Sequence, residues 1–192
     1  VWYYIYMDLA PHFYAKDRSA WREWLRDHHD TESAVWLVYD KGTHRSLSWA
    51  DIVQEALCFG WIDSRPGKVS DTQSKLYISK RKPKSVWSKI NKEHIEYLKR
   101  EGLMMRAGLA AIEIAQQNGS WDALNNSDNL IEPQSLQEAF AVNASARRFF
   151  DGLSDSVKRT TLQWLYDAKT DVTLQKRIMH VVRRCTQGQR PL

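Results

Sequence analysis

The 192-residue chain carries 28 Lys and Arg against 23 Asp and Glu, a formal charge of +5, with 43% hydrophobic and 27% charged residues. That balance excludes an intrinsically disordered chain, and no apolar run approaches the roughly 18 residues of a membrane span. Length leaves one or two domains equally open.

The N-terminus, VWYYIYMDLAP, is apolar for six or seven residues and then meets Asp8 and Pro11. It has no basic start and no small-residue cleavage site, so it does not read as a signal peptide. Met7 is a candidate initiator, with Val1 to Tyr6 upstream of it. Residues 13–29 place Trp21, Trp24 and Leu25 at helical spacing behind a cap at Asp17 or Ser19. Val35 to Tyr39 is a β-branched and aromatic run stopped by Asp40-Lys41-Gly42, which reads as a strand and turn. Ser48 with Asp51 has the capping-box spacing, and Trp49, Ile52, Val53, Ala56 and Leu57 repeat on one face of the helix that follows, ending near Gly60.

Between Trp61 and Lys82, turn residues separate two short stretches, and Leu76-Tyr77-Ile78 has the propensity to pair with the earlier strand. Pro83 breaks that segment, and Ser85 can cap a helix running to Arg100 and Gly102, with Trp87, Ile90, Asn91, His94, Tyr97 and Leu98 on its inner face. A further helix around Leu109 and Ile112 stops at Asn118-Gly119. Asn125 to Glu132 is polar and poor in helix formers and reads as a linker, after which Pro133 opens a run of helices: 134–142, 144–153, 155–168 behind Ser154, and one from Thr170 or Asp171 with a stripe of Leu174, Ile178, Val181, Val182 and Cys185. The expected fold is therefore α+β, mostly helical, with a small antiparallel sheet in the N-terminal two thirds and a helical C-terminal section. The expected organisation is a body over 1–125 and a helical section over 126–192, packed on the body as one compact unit.

Charge is concentrated. Between Asp63 and Arg100 stand eleven Lys and Arg against four acids, a net +7, so the remainder of the chain carries −2. That region can attract an anionic ligand, an acidic protein partner or nucleic acid, or can simply be a solvated face. Interleaved Trp61, Tyr77 and Trp87 have the chemistry to stack on bases while lysines meet phosphates. Most of the nine tryptophans should nonetheless be core anchors.

Cys58 and Cys185 lie in apolar helical patterns, with no CxxC pair and no nearby His or Cys set. They exclude a structural zinc site, fit a reducing cytoplasm, and leave one long-range bridge open. The six histidines show no HxxxH or HExxH spacing, and neither a metal nor a cofactor is expected. GxGxxG, GxxxxGK[ST] and GxSxG are missing, which sets aside dinucleotide, P-loop and α/β-hydrolase chemistry. Two acid-base candidates remain. Asp63 follows the apolar Phe59-Gly60-Trp61-Ile62 and can titrate, cap a turn or pair with Arg81; His94 shares a helical face with Trp87 and Asn91.

The blocks Glu55-Ala56-Leu57-Cys58-Phe59-Gly60-Trp61-Ile62-Asp63 and Lys82-Pro83-Lys84-Ser85-Val86-Trp87-Ser88-Lys89-Ile90-Asn91 resemble the YdeI/OmpD-associated family, also called bacteriocin-protection proteins. The resemblance runs from about Phe13 to Pro191 and includes Gly102-Leu103-Met104, Ala107-Gly108, Arg148-Phe149-Phe150 and Arg177-Ile178. It implies a small bacterial α+β protein linked to tolerance of bacteriocins or cationic antimicrobial peptides and, by name, to an outer-membrane porin. The chain departs from the family pattern at Ser64, where Gly is usual, and at Tyr77-Ile78-Ser79-Lys80-Arg81, where only the arginine matches an Arg-Phe-Thr-Pro-Arg stretch. A +5 protein would repel cationic peptides at long range, so protection is expected to be indirect. The leading expectation is a cytoplasmic, non-enzymatic stress-tolerance protein that binds through Trp61, Asp63, Tyr77, Arg81, Lys84, Trp87 and Asn91. The alternatives are an enzyme or small-anion binder using Asp63, His94 and Arg81, and a nucleic-acid-binding protein.

Overall fold

A computed structural model describes residues 9–192, so the reading of Met7 as initiator lies outside the described residues. The elements run β1 (His12–Tyr14), α1 (Arg18–His28), β2 (Ala34–Asp40), α2 (Trp49–Cys58), β3 (Trp61–Lys68), β4 (Gln73–Lys80), α3 (Lys89–Arg100) and α4 (Arg106–Gln117). There follow α5 (Asn125–Asp128), α6 (Gln134–Ala141), α7 (Ala144–Asp151), α8 (Asp155–Tyr166) and α9 (Asp171–Thr186). Contacts divide the chain into two units, one ending at Trp121 and the other spanning Asp122–Leu192. The fold class is α+β, as the sequence pattern indicates.

Alternation along β2 sets the layers of the first unit. Val35 and Leu37 are wholly buried in the main core, while Ala34 and Trp36 turn to the opposite sheet face and meet Tyr77. The strand order is β1-β2-β4-β3, with β2 antiparallel to β4 and β3 antiparallel to β4. The expectation of a purely antiparallel sheet needs correction, because His12–Tyr14 pairs parallel with β2 instead of opening the first helix. Three residues are too few to show a period, and the aromatic Phe13 and Tyr14 fit either state.

Helix starts follow the local chemistry. The Asp17 carboxylate accepts from Ala20 N–H (2.8 Å) to begin α1, and Ser48 with Asp51 forms the capping box of α2. Helix α3 begins later than expected, with Ser88 as its cap instead of Ser85. The buried face of α3 is carried by Ile95 and Leu98, whereas Ile90 and Tyr97 point outward. Trp49 is likewise exposed, not part of the α2 core face.

One buried acid on α2 holds the first unit together. Glu55 is 2% exposed and receives Arg18 Nε on one oxygen (2.6 Å) and Arg22 Nη1 on the other (2.6 Å). Arg18 also reaches Asp51 (2.9 Å), and Arg22 Nη2 donates to the Leu103 carbonyl (2.8 Å), so α1, α2 and the loop before α4 are joined through one carboxylate. A buried charge is tolerated when each oxygen is matched by a cation and its donors.

The second unit packs α6 to α9 around Phe140, Phe150, Leu162, Ile178 and Val181. Residues 125–132 are not a free linker: α5 occupies their first half, Ser127 Oγ donates to Gln163 (2.8 Å), and Glu132 accepts from Arg147 Nη1 (2.7 Å). Arg147 also binds Asp151 and lies over the Phe140 and Phe150 rings at 5.0 and 5.8 Å. Hydrogen bonds that it donates to Asp151 and Glu132 hold its guanidinium firmly in the charged form. Replacing Glu55 by Ala leaves two arginines facing a gap, and the expected loss is about 3–5 kcal/mol, read as a fall of roughly 6–20 °C in the thermal midpoint.

Candidate anion-binding site

The residues singled out from sequence separate into several environments. Trp61 is wholly buried, edge-on to Trp24 at 5.9 Å. Tyr77 is 8% exposed and packs on Trp36 at 5.1 Å on the other sheet face. Trp87 is 1% exposed. The expected basic aromatic surface is therefore corrected: all three rings are packing groups, as their size favours, and none presents a face on which a base could stack.

Asp63 accepts from the Trp49 indole N–H at 3.2 Å and acts on Arg81 through charge at longer range. His94 Nδ1 lies 3.2 Å from Gln54 Nε2 on α2, and its Nε2 is buried without a partner. Asn91 donates its backbone N–H to the Ser88 cap (3.3 Å), and Lys84 is exposed on the 82–88 loop.

Arg81 occupies a different kind of place, and glycines put it there. Its backbone N–H donates to Gly60 O (3.0 Å), one step beyond the Trp61 and Lys80 pairing of β3 with β4. Gly60 turns the chain at φ +75°, a conformation side chains disfavour. A Cβ on Gly108 would sit 2.3 Å from Cys58 O and 2.7 Å from Leu57 O, so only glycine lets α4 lie on the end of α2. With α4 that close, Ala107 and Ala111 reach Gly60, and the side chain of Arg81 is enclosed between α4 and the 82–88 loop.

The guanidinium stacks on Trp87 at 3.6 Å, and Nη2 donates to Val86 O at 2.6 Å. Its other two nitrogens, Nε and Nη1, are shut off from solvent and have no hydrogen-bond partner. The loop above is fixed, since Pro83 O accepts from Asn118 Nδ2 (2.7 Å) and Ser120 Oγ (3.4 Å), and Trp87 packs on Trp121 at 5.2 Å. Two cavities of about 60 and 190 Å³ share Arg81, Ala111 and Ile114 as lining residues. Pro83 and Trp87 complete the smaller, and His29, Phe59 and Gly60 help to form the larger.

Burial pulls the Arg81 pKa down to about 10, with the Asp63 charge opposing, and the group remains cationic at neutral pH. A cation with two enclosed, unmatched donors is destabilising as it stands, and an acceptor carrying negative charge would offset its charge and satisfy one of them. Asp63 and His94 line neither cavity. The two cysteines, which lie in separate units, are both free and buried, and burial pushes each thiol up to about 11, away from nucleophilic chemistry at neutral pH. Among the described residues there is no cluster of three or more side chains able to hold a metal, and no helix is long and apolar enough to cross a membrane.

Sequence reading found Arg81 by its charge but missed its enclosure, and it missed Glu55 and the walls formed by Ala107, Ala111 and Ile114. The available signal was the run of small residues Ala107-Gly108 and Ala110-Ala111, the mark of a helix that others approach closely.

Residues 13–111 match the family described as Domain of unknown function (DUF8412). Residues 129–188 match the family described as Bacteriocin-protection, YdeI or OmpD-Associated. The blocks at 55–63 and 82–91 that suggested the second family thus fall within the first match. No curated protein and no solved structure matches the chain.

Arg81→Met keeps the length of the side chain and removes the unmatched charge. Although it loses the bond to Val86 and the stacking on Trp87, we expect a thermal midpoint equal to or above that of the unchanged protein, measured by calorimetry. A fall of more than about 2 kcal/mol in stability would instead mark Arg81 as a structural group.

Proposed function

The chain belongs to the family described as Domain of unknown function (DUF8412), and from that premise we propose that it is a binding protein that takes an anionic group at Arg81. One observation carries this reading: a guanidinium stacked and held by one nitrogen, with its two other nitrogens enclosed and unpartnered beside cavities. Preorganised donors of this kind bind without first having to release protein partners.

Other readings have less support. For acid-base catalysis, Asp63 is bonded to Trp49 and His94 to Gln54, and neither faces the cavities of Arg81. For nucleic acid, the lysines of the 82–88 loop are available but the interleaved rings are buried. The match over 129–188 supports a role in tolerance of bacteriocins or antimicrobial peptides as a second part of the proposal. With a net charge of +5, such protection would be indirect, and a cytoplasmic setting in which both free thiols stay reduced belongs to the same proposal.

Two measurements test the two parts. In a thermal-shift screen of small anions at constant ionic strength, a ligand at 100 times its dissociation constant should stabilise the protein by about 2.7 kcal/mol, and Arg81→Met should show no shift. A shift that persists in the variant, or none with any anion, overturns the anion site. Deletion of the gene should raise sensitivity to antimicrobial peptides, and unchanged sensitivity removes the tolerance role while leaving the anion site standing.

A further inference from the structure

The unit spanning Asp122–Leu192 carries a surface of its own, built without Arg81. Helix α9 packs on α6 and α7, and a groove of about 420 Å³ runs between α9 and the end of α6. Ala139, Val142, Ile178, Met179 and Val182 line it with hydrocarbon. Ile178 is 2% exposed and belongs to the core beneath, whereas Val142 is 82% and Met179 63% exposed. The corner that carries Val142 is fixed, because Asn143 donates its backbone N–H to Phe140 O (3.0 Å) and its side chain to Ala139 O (2.7 Å). Large apolar groups held in water beside a concave apolar lining have the character of an unfilled contact, and the flexible thioether of Met179 can adapt to what fills it.

Charge states what the occupant must carry. A second hollow of about 560 Å³ shares Met179 and Arg183 with the groove and is completed by Lys176 and His180. No acid lines either one. Glu138, next to Ala139, accepts from Gln134 (2.9 Å) and lines neither. From Asp171 to Thr186 stand four Lys and Arg against one acid. Two of those cations are engaged within the fold: Arg177 lies over the Trp164 ring at 4.9 Å, and Arg184 Nε donates to Arg190 O (3.0 Å). Lys176 and Arg183 are exposed and form no ion pair among the described residues.

Spacing narrows the class further. Lys176 and Arg183 are seven residues apart on α9, two turns or about 10.5 Å along the axis, with Met179 between them. A helix lying alongside α9 presents acids seven positions apart at the same pitch. The groove spans Gln175 to Gln187, about 18 Å at 1.5 Å per residue, which is the length of three helical turns. A flat bilayer surface would meet Val142 and Met179 but leave the recessed lining at Ile178 unfilled. A second copy of the chain would bring the same cations to the same groove, and like charges oppose that pairing.

We propose that this groove docks an acidic amphipathic helix of a partner protein. Its apolar stripe lies against Val142, Met179 and Val182, and two acids about two turns apart face Lys176 and Arg183. The surface and its occupant are independent of the anion reading of Arg81.

The test is selection of a displayed library of random 14-residue peptides on the 192-residue chain, with counter-selection on Met179→Asp. Because Met179 is exposed, that variant should keep the thermal midpoint of the unchanged protein. Enriched sequences should carry apolar residues at helical spacing and two Asp or Glu about seven positions apart. The best of them, synthesised and followed by fluorescence anisotropy, should bind about tenfold or more weakly to Met179→Asp and to the double variant Lys176→Glu with Arg183→Glu, and its affinity should fall as salt rises. The same peptide with its acids replaced by Lys should bind the double variant again, a rescue that a misfolded chain could not give. Enrichment of neutral or basic sequences, or no enrichment over counter-selection, overturns the proposal. If no peptide is enriched, a dimer in sedimentation that Met179→Asp abolishes assigns the groove to a second copy instead. Flotation with vesicles containing phosphatidylglycerol, lost in the same variant, assigns it to a membrane surface.

Discussion

The absence of a side chain at position 108 governs the geometry of the first unit. Helix α4 can rest against the carbonyls of Leu57 and Cys58 only because Gly108 presents no Cβ to them. That approach brings Ala107 and Ala111 against Gly60, and Gly60 in turn accepts the backbone N–H of Arg81. A helix set farther out would leave Arg81 an ordinary solvated cation at a strand end. The enclosure of a charge thus follows from the packing of small residues, two links back along the chain of causes.

Three charged centres show how differently one protein treats such groups. Glu55 is buried and fully matched by two arginines; Arg147 is partly exposed, matched by Glu132 and Asp151, and lies over two packed phenylalanines. Both join elements of a core and have the completeness that structural ion pairs need. Arg81 has one hydrogen bond, one stacking ring and two enclosed donors with nothing to bind. The contrast within a single chain separates two groups whose hydrogen-bonding capacity is met within the fold from one whose capacity is not.

What could be read from the sequence was local. Ser48 with Asp51, Asp17, Gly60 and the stripe on the last helix announce themselves by spacing, and each is where it should be. Strand β1 was illegible because three residues carry no period, and Ser85 and Ser88 are chemically equivalent caps until the packing of Ile95 and Leu98 selects the second. The aromatic residues near the basic segment were ambiguous for a related reason: Trp36 and Tyr77 share one sheet face and Trp61 the other, a distinction set by the registers of β4 with β2 and with β3. Arg81 stood out by its charge, yet its enclosure depends on Gly108, 27 positions away, where the run of small residues marks a close approach without saying to what. The fold class was therefore plain from local pattern, and the candidate site was not.

The anchoring of Pro83 has a mechanical implication. Its carbonyl is tied to Asn118 and Ser120 just past the end of α4, while Gly60 packs on Ala107 and Ala111 nearer the start of that helix. One wall of each cavity beside Arg81 is thus fastened to the same helix. Walls braced along one helix hold a constant spacing to each other, so the surroundings of Arg81 are built like a frame on a single post and not like a hinged jaw.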